Sequence, residues 1–117
     1  MAIRRIKTNQ RMSQAVVHGN TLYTAGQVAQ NAPGASAAEQ TKDILSAIDG
    51  LLEEAGSDKS KLISATIWLA NMDDFAEMNS IWDAWVVPGE TPARACVESK
   101  LAAPQFTVEI GVIAAID

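Results

Sequence analysis

The run from Ser36-Ala37-Ala38-Glu39 to Ala55-Gly56, followed by Lys61-Leu62-Ile63-Ser64-Ala65-Thr66-Ile67-Trp68-Leu69-Ala70, decides the fold. Ser36 and Glu39 have the S-x-x-E spacing of a capping box, in which each side chain satisfies a free backbone N–H of the first helical turn. Beyond them Ile44, Leu45, Ile48, Leu51, Leu52 and Ala55 recur at helical spacing and make one apolar stripe. Gly56 stands where a left-handed C-cap ends the helix. Residues 61–70 then read as a mostly buried strand, too apolar on both sides for a half-exposed one. A one-sided helix running into a buried strand needs a sheet to pack on.

The flanking sequence supplies that sheet. Toward the C-terminus, Asn71-Met72-Asp73-Asp74 offers capping side chains for a second helix reaching to about Val86, with Phe75, Met78, Trp82, Trp85 and Val86 as its apolar stripe. After the loop Val87-Pro88-Gly89-Glu90-Thr91 come two more strands, Ala93–Val97 and Phe106–Val112. Toward the N-terminus, Ile3–Thr8 leads to Gln14–Val17, and a turn at His18-Gly19-Asn20 feeds a strand over Thr21–Gly26 as a hairpin. Asn31-Ala32-Pro33-Gly34 is a loop. The predicted order is β-β-β-α-β-α-β-β, an α+β layout in a single domain spanning residues 1–117. Two helices cover one face of such a sheet. The other face would leave Ala, Val, Ile and Thr side chains in water, so it is expected to be buried by self-association with closed symmetry.

Composition narrows the chemistry. The 117 residues are 48% hydrophobic and 20% charged, ordinary for a globular domain. A net charge of -5 and a pI near 4.7 oppose a phosphate-backbone ligand. No apolar run approaches the roughly 20 residues that span a bilayer, and the basic N-terminus lacks the apolar segment of a secretory signal. A lone cysteine, Cys96, excludes an internal disulfide and fits a reducing compartment, which points to the cytoplasm. With His18 the only histidine, placed in a turn, neither a histidine-rich zinc site nor a Ser-His-Asp set is available without it. Catalysis would rest on carboxylates, Arg, Cys, Asn, hydroxyls and backbone groups.

Two charges stand out in the last quarter of the chain. Alternation places Arg94 and Cys96 on one face of their strand, while Glu109 points away from the apolar face made by residues 106, 108, 110 and 112. With the two strands taken as neighbours, Arg94 and Glu109 either bond each other or share a small anionic substrate, and pattern does not separate these. In the second reading Arg94 grips a carboxylate with two parallel N–H bonds and Glu109 positions a water. Asn79 borders the stripe of the second helix and needs a partner there, from a loop carbonyl, a ligand or another subunit. Gly26 either turns the chain or lets a ligand approach the backbone closely. Cys96 reads as a small buried hydrophobe rather than a nucleophile. The tryptophans Trp68, Trp82 and Trp85 fit core or interface packing better than a cofactor platform.

The order and spacing of several short motifs resemble the Rid family of reactive intermediate deaminases, also called YjgF, nearly end to end. The motifs are Ser13-Gln14-Ala15-Val16, Ala25-Gly26-Gln27, Glu39-Gln40-Thr41, Ala55-Gly56, Met72-Asp73-Asp74-Phe75 with Asn79, Pro92-Ala93-Arg94, and Val108-Glu109-Ile110. The resemblance implies a chorismate-mutase-like fold assembled as a homotrimer, with three clefts between subunits. It also implies cofactor-independent hydrolysis of 2-aminoacrylate and related enamines and imines to 2-oxo acids and ammonia, a form of metabolite damage control. By position, Arg94 matches the arginine that holds the substrate carboxylate and Glu109 the glutamate that activates or orients water. Gly26, Cys96 and Asn79 would line the same pocket. Two positions depart from the family pattern. Arg11-Met12-Ser13-Gln14 lacks the aromatic residue common before Ser-Gln-Ala, and Ala25 replaces a frequent Ser, so an aromatic wall would have to come from Trp82 or Trp85. The alternative is a non-catalytic trimer that binds small carboxylates as a metabolite sensor or regulator. A ribonuclease or translation-inhibitor role, attached to some relatives, sits badly with the acidic charge and the lack of an aromatic-basic patch.

Overall fold

Ser36 caps the first helix, its hydroxyl accepting from the Glu39 backbone N–H at 3.2 Å. The expected reciprocal bond is not made: the Glu39 carboxylate instead meets Lys42 Nζ at 3.3 Å. Glu77 of the second helix satisfies a different free donor of the first turn, accepting from the Ala38 N–H at 2.7 Å. At the other end Gly56 adopts φ +84°. Its N–H reaches Glu53 O and that of Ser57 reaches Leu52 O, the paired bonds of a Schellman cap. The helix between these caps buries Ile44, Leu45, Ile48, Leu51 and Leu52, five of the six stripe residues, and Ala55 just beyond it is buried too.

The computed structural model describes all of residues 1–117. In chain order its elements are β1 (Ile3–Thr8), β2 (Ser13–His18), β3 (Thr21–Thr24), β4 (Gln27–Val28), α1 (Ala37–Glu54), β5 (Leu62–Leu69), α2 (Phe75–Trp85), β6 (Ala93–Glu98) and β7 (Val108–Ala115). The expected third strand is split in two at Ala25-Gly26. Gly19 alone of the β2–β3 turn has a positive φ, +63°, as a two-residue hairpin led by glycine requires. Asn71 caps a short 3-10 turn, Met72–Asp74, and α2 itself starts without a side-chain cap.

The strands form one sheet in the order β1-β2-β3-β7-β5-β6, with β4 also on β7. All pairings are antiparallel except β5 with β6, which run parallel because α2 carries the chain across. This topology corrects the expectation that β6 and β7 are neighbours: β5 lies between them. Both helices sit on one face, over Ala65, Ile67 and Leu69 of β5 and Val108, Ile110 and Val112 of β7, all buried. Gln40, wholly buried, donates to the carbonyls of Ala35 and Gln105 and accepts from the Thr107 N–H, which fixes the chain as it enters β7. The opposite face carries Val16, Tyr23, Thr66, Trp68, Val97 and Ile113 with no helix over it, and Tyr23 and Val97 are nearly half exposed.

Candidate functional site

Register decides which charges meet. Arg94 pairs with Ala65 and Cys96 with Ile67, so both point to the helix-covered face. Glu109 pairs with Trp68 and points to the open face. Arg94 and Glu109 therefore lie on opposite faces of the sheet, on strands that are not adjacent. Within one chain they neither bond each other nor share a ligand. Alternation had fixed the face within each strand, but only the pairing register relates one strand to the next.

On the helix side Arg94 occupies the edge strand beneath α2. Its NH1 donates to Asn79 Oδ1 at 2.7 Å. The guanidinium carbon lies 5.5 Å from the Trp82 ring centroid and 5.9 Å from that of Phe75, within cation–π range of both. Phe75, Asn79 and Trp82 follow one another at i, i+4 and i+7, one line along α2. Phe75 is thus not the core residue its place in the apolar stripe suggested. It is 40% exposed and covers the arginine, whereas Trp82 and Met78 are buried. Asn79 bonds neither a loop carbonyl nor the backbone. Arg94 makes no ion pair and is exposed, so its remaining N–H groups are open to a ligand. Cys96, two residues on, is half-buried, and that burial pushes its thiol above the ordinary range despite the opposing pull of Arg94. It fits a small hydrophobe, as expected.

The open face holds the second half. Glu109 lies against Gly26 so closely that a Cβ added to that glycine would stand 2.0 Å from Glu109 Oε2. The group that approaches the Gly26 backbone closely is this carboxylate of the same chain. Partial burial without a hydrogen bond or cation beside it raises the Glu109 pKa above the normal carboxylate value. A shallow cavity of about 230 Å³ extends beside it over Tyr23, Thr24, Gly26, Thr66 and Trp68. Neither Phe75 nor Trp68 stood out in the sequence as a site residue. The i, i+4, i+7 spacing with Asn79 was the one available signal for the first, and the second had none. Of the two substituted positions, Met12 is 39% exposed on the β1–β2 turn. Trp82 supplies an aromatic surface to Arg94, while Trp85 turns away and donates to both Asp49 carboxylate oxygens.

A larger cavity of about 610 Å³ is lined by the β6–β7 connection, from Glu98 to Pro104, with Thr107. No group of three or more His, Cys, Asp or Glu side chains converges anywhere in the fold, and no helix is long and apolar enough to cross a membrane.

A six-stranded mixed sheet with β4 appended, two helices on one face and an arginine held at its edge define an α+β protein of the YjgF type. Residues 2–116 match the family described as Endoribonuclease L-PSP. The RutC family protein YoaB of Escherichia coli K12 is 48% identical over 116 residues, covering 99% of this chain and 100% of that protein. A crystal structure of a YjgF family member from Neisseria meningitidis superposes with a TM-score of 0.96 at 48% identity, covering 100% of this chain and 97% of the other. A Rid family protein from Yersinia pestis, of unknown function by its own description, gives 0.91 at 29% identity, covering 98% and 100%. The chain belongs to the RutC/YjgF/Rid family.

Proposed function

We propose that this chain is a cytoplasmic enamine/imine deaminase that converts 2-aminoacrylate and related 2-imino acids to 2-oxo acids and ammonia. One observation carries the reading: an arginine with unused donors and a carboxylate with a raised pKa lie on opposite faces of a sheet whose second face is uncovered. A homotrimer that buries those open faces brings the Glu109 face of one protomer toward the β6 edge, and so the Arg94, of its partner. The complete site is then a cleft between subunits.

The chemistry suits these groups. Arg94 holds the substrate carboxylate through two N–H bonds. Glu109, its pKa raised by burial, takes a proton from water as the water oxygen adds to the imine carbon, C2. Glu109 passes that proton to the imine nitrogen to give the carbinolamine, then takes the hydroxyl proton and delivers it to the amino nitrogen as the C–N bond breaks, releasing ammonia and the 2-oxo acid with Glu109 ionised again. An enamine first gains a proton at C3 and gives one up from nitrogen to become the imine. Since C2 is already electrophilic, orientation and one proton shuttle suffice, and no cofactor enters the scheme. Cys96 and Gly26 contribute walls and backbone. RNA is a poor alternative substrate for a chain of net charge -5.

The test is 2-oxo acid release from imines generated in situ by an amino acid oxidase, with binding of pyruvate measured alongside. The wild type accelerates release, and Glu109→Ala loses that acceleration while keeping pyruvate affinity. If the wild type binds pyruvate but accelerates no imine, whether small, aliphatic or aromatic, the protein is a carboxylate-binding sensor instead.

A further inference from the structure

The deaminase reading needs Arg94 to present two N–H groups in one plane to a carboxylate, and an exposed arginine on an edge strand has no reason to hold still. Its side chain has four rotatable bonds, and freezing them costs rotamer entropy. Here three residues of α2 do the freezing. Asn79 Oδ1 accepts from one of the five guanidinium N–H groups at 2.7 Å. The rings of Phe75 and Trp82 lie near the same guanidinium, at 5.9 and 5.5 Å. Trp82 is 4% exposed and wedged against Trp85 at 5.4 Å between centroids, so it is a fixed wall. Phe75 is exposed, stands outside the hydrophobic core and has the Arg94 guanidinium near its ring. A large ring left at the surface, an amide spent on a cation, and a buried indole all converge on one side chain.

We propose, resting on the deaminase reading, that Phe75, Asn79 and Trp82 are positioning residues: they set the plane of the Arg94 guanidinium so that its free edge meets a planar carboxylate. Asn79 thus does not touch substrate, contrary to its expected place in the pocket, but acts through Arg94. Four N–H groups remain after its bond. Two parallel ones form the fork that distinguishes a carboxylate from a neutral amide or ester of the same size. The cradle therefore confers selectivity for free 2-imino and 2-oxo acids over their amides.

The experiment compares binding of pyruvate and pyruvamide by calorimetry in the wild type, Arg94→Ala, Arg94→Lys, Asn79→Ala and Phe75→Leu. The wild type prefers pyruvate, and Arg94→Ala loses that preference. Asn79→Ala and Phe75→Leu lose about tenfold of it through weaker pyruvate binding, approaching Arg94→Lys, which keeps the charge without the fork. Loss of fold would lower both affinities together and leave their ratio alone, so the ratio reads positioning. Two results overturn the proposal: an unchanged ratio in both cradle variants, or tighter pyruvate binding in Asn79→Ala, which would make the amide a competitor for Arg94. If Arg94→Ala itself keeps the preference, the carboxylate reading of the site fails instead.

Discussion

Gly26→Ala isolates Glu109 with a single methyl group. Gly26 does not need a positive φ, so alanine fits the backbone and the effect is purely one of contact. The new Cβ would stand 2.0 Å from Glu109 Oε2, 2.9 Å from its Cδ and 3.1 Å from its Cγ. To reach ordinary contact the carboxylate must retreat by about 1 Å or more, because packed atoms do not interpenetrate. The group that moves is the end of a flexible side chain, so stability falls by only about 1 kcal/mol or less. A displacement of that size at a group that positions water costs roughly 100-fold in turnover. Arg94 rather than Glu109 holds the carboxylate, so pyruvate affinity falls far less than turnover does, even though Gly26 lines the same cleft between subunits. Gly111→Ala is the companion, since a Cβ there comes no nearer than 3.7 Å to its closest neighbour, Gly26. The assays are steady-state 2-oxo acid release and pyruvate calorimetry on both variants. If Gly26→Ala keeps full turnover, or if Gly111→Ala loses as much, the role given to Glu109 is wrong.

Other outcomes follow from the same geometry. Because the folded pKa of Glu109 is raised, its protonated form favours the folded state. That contribution is present below the unfolded pKa and is lost as pH rises through the folded one, so Glu109→Gln is at least as stable as wild type at neutral pH by thermal melting. The same shift moves the acid limb of the rate profile above the ordinary carboxylate value, and a limb at or below that value would contradict it. Gln40→Leu strands the Ala35 and Gln105 carbonyls and the Thr107 N–H, and costs about 3 kcal/mol or more in denaturant unfolding. The Cys96 thiol, pushed up by burial, reacts with an alkylating agent at pH 7 more slowly than a free cysteine does.

Local signals were legible where they were self-contained. Ser36, the Ile44–Leu52 stripe and Gly56 place α1 nearly to the residue, because cap, face and stop lie in one continuous segment. The inward face of β7 followed from alternation alone. The lateral order of strands did not follow. The last two strands look adjacent in sequence, but α2 delivers β6 parallel to β5, and β7 then enters between β3 and β5. That insertion is set by which strands offer open edges, and no local pattern records it. The same gap hid the separation of Arg94 from Glu109. The family resemblance had named both residues without saying which face each occupies. Phe75 looked like core because an aromatic ring at helical spacing is usually buried, and nothing nearby in the sequence marks an arginine 19 positions later as what it covers.

Subunit complementation tests most directly whether the working site is assembled from two copies. Arg94→Ala and Glu109→Ala chains, carrying different tags, are co-expressed, and the doubly tagged assemblies are assayed for 2-oxo acid release from imines. Each variant alone is inactive. Every mixed trimer, whichever variant is present twice, has one cleft in three that joins an intact Arg94 from one protomer to an intact Glu109 from its partner, so about a third of wild-type turnover returns. Mixed assemblies as inactive as either parent would contradict the account.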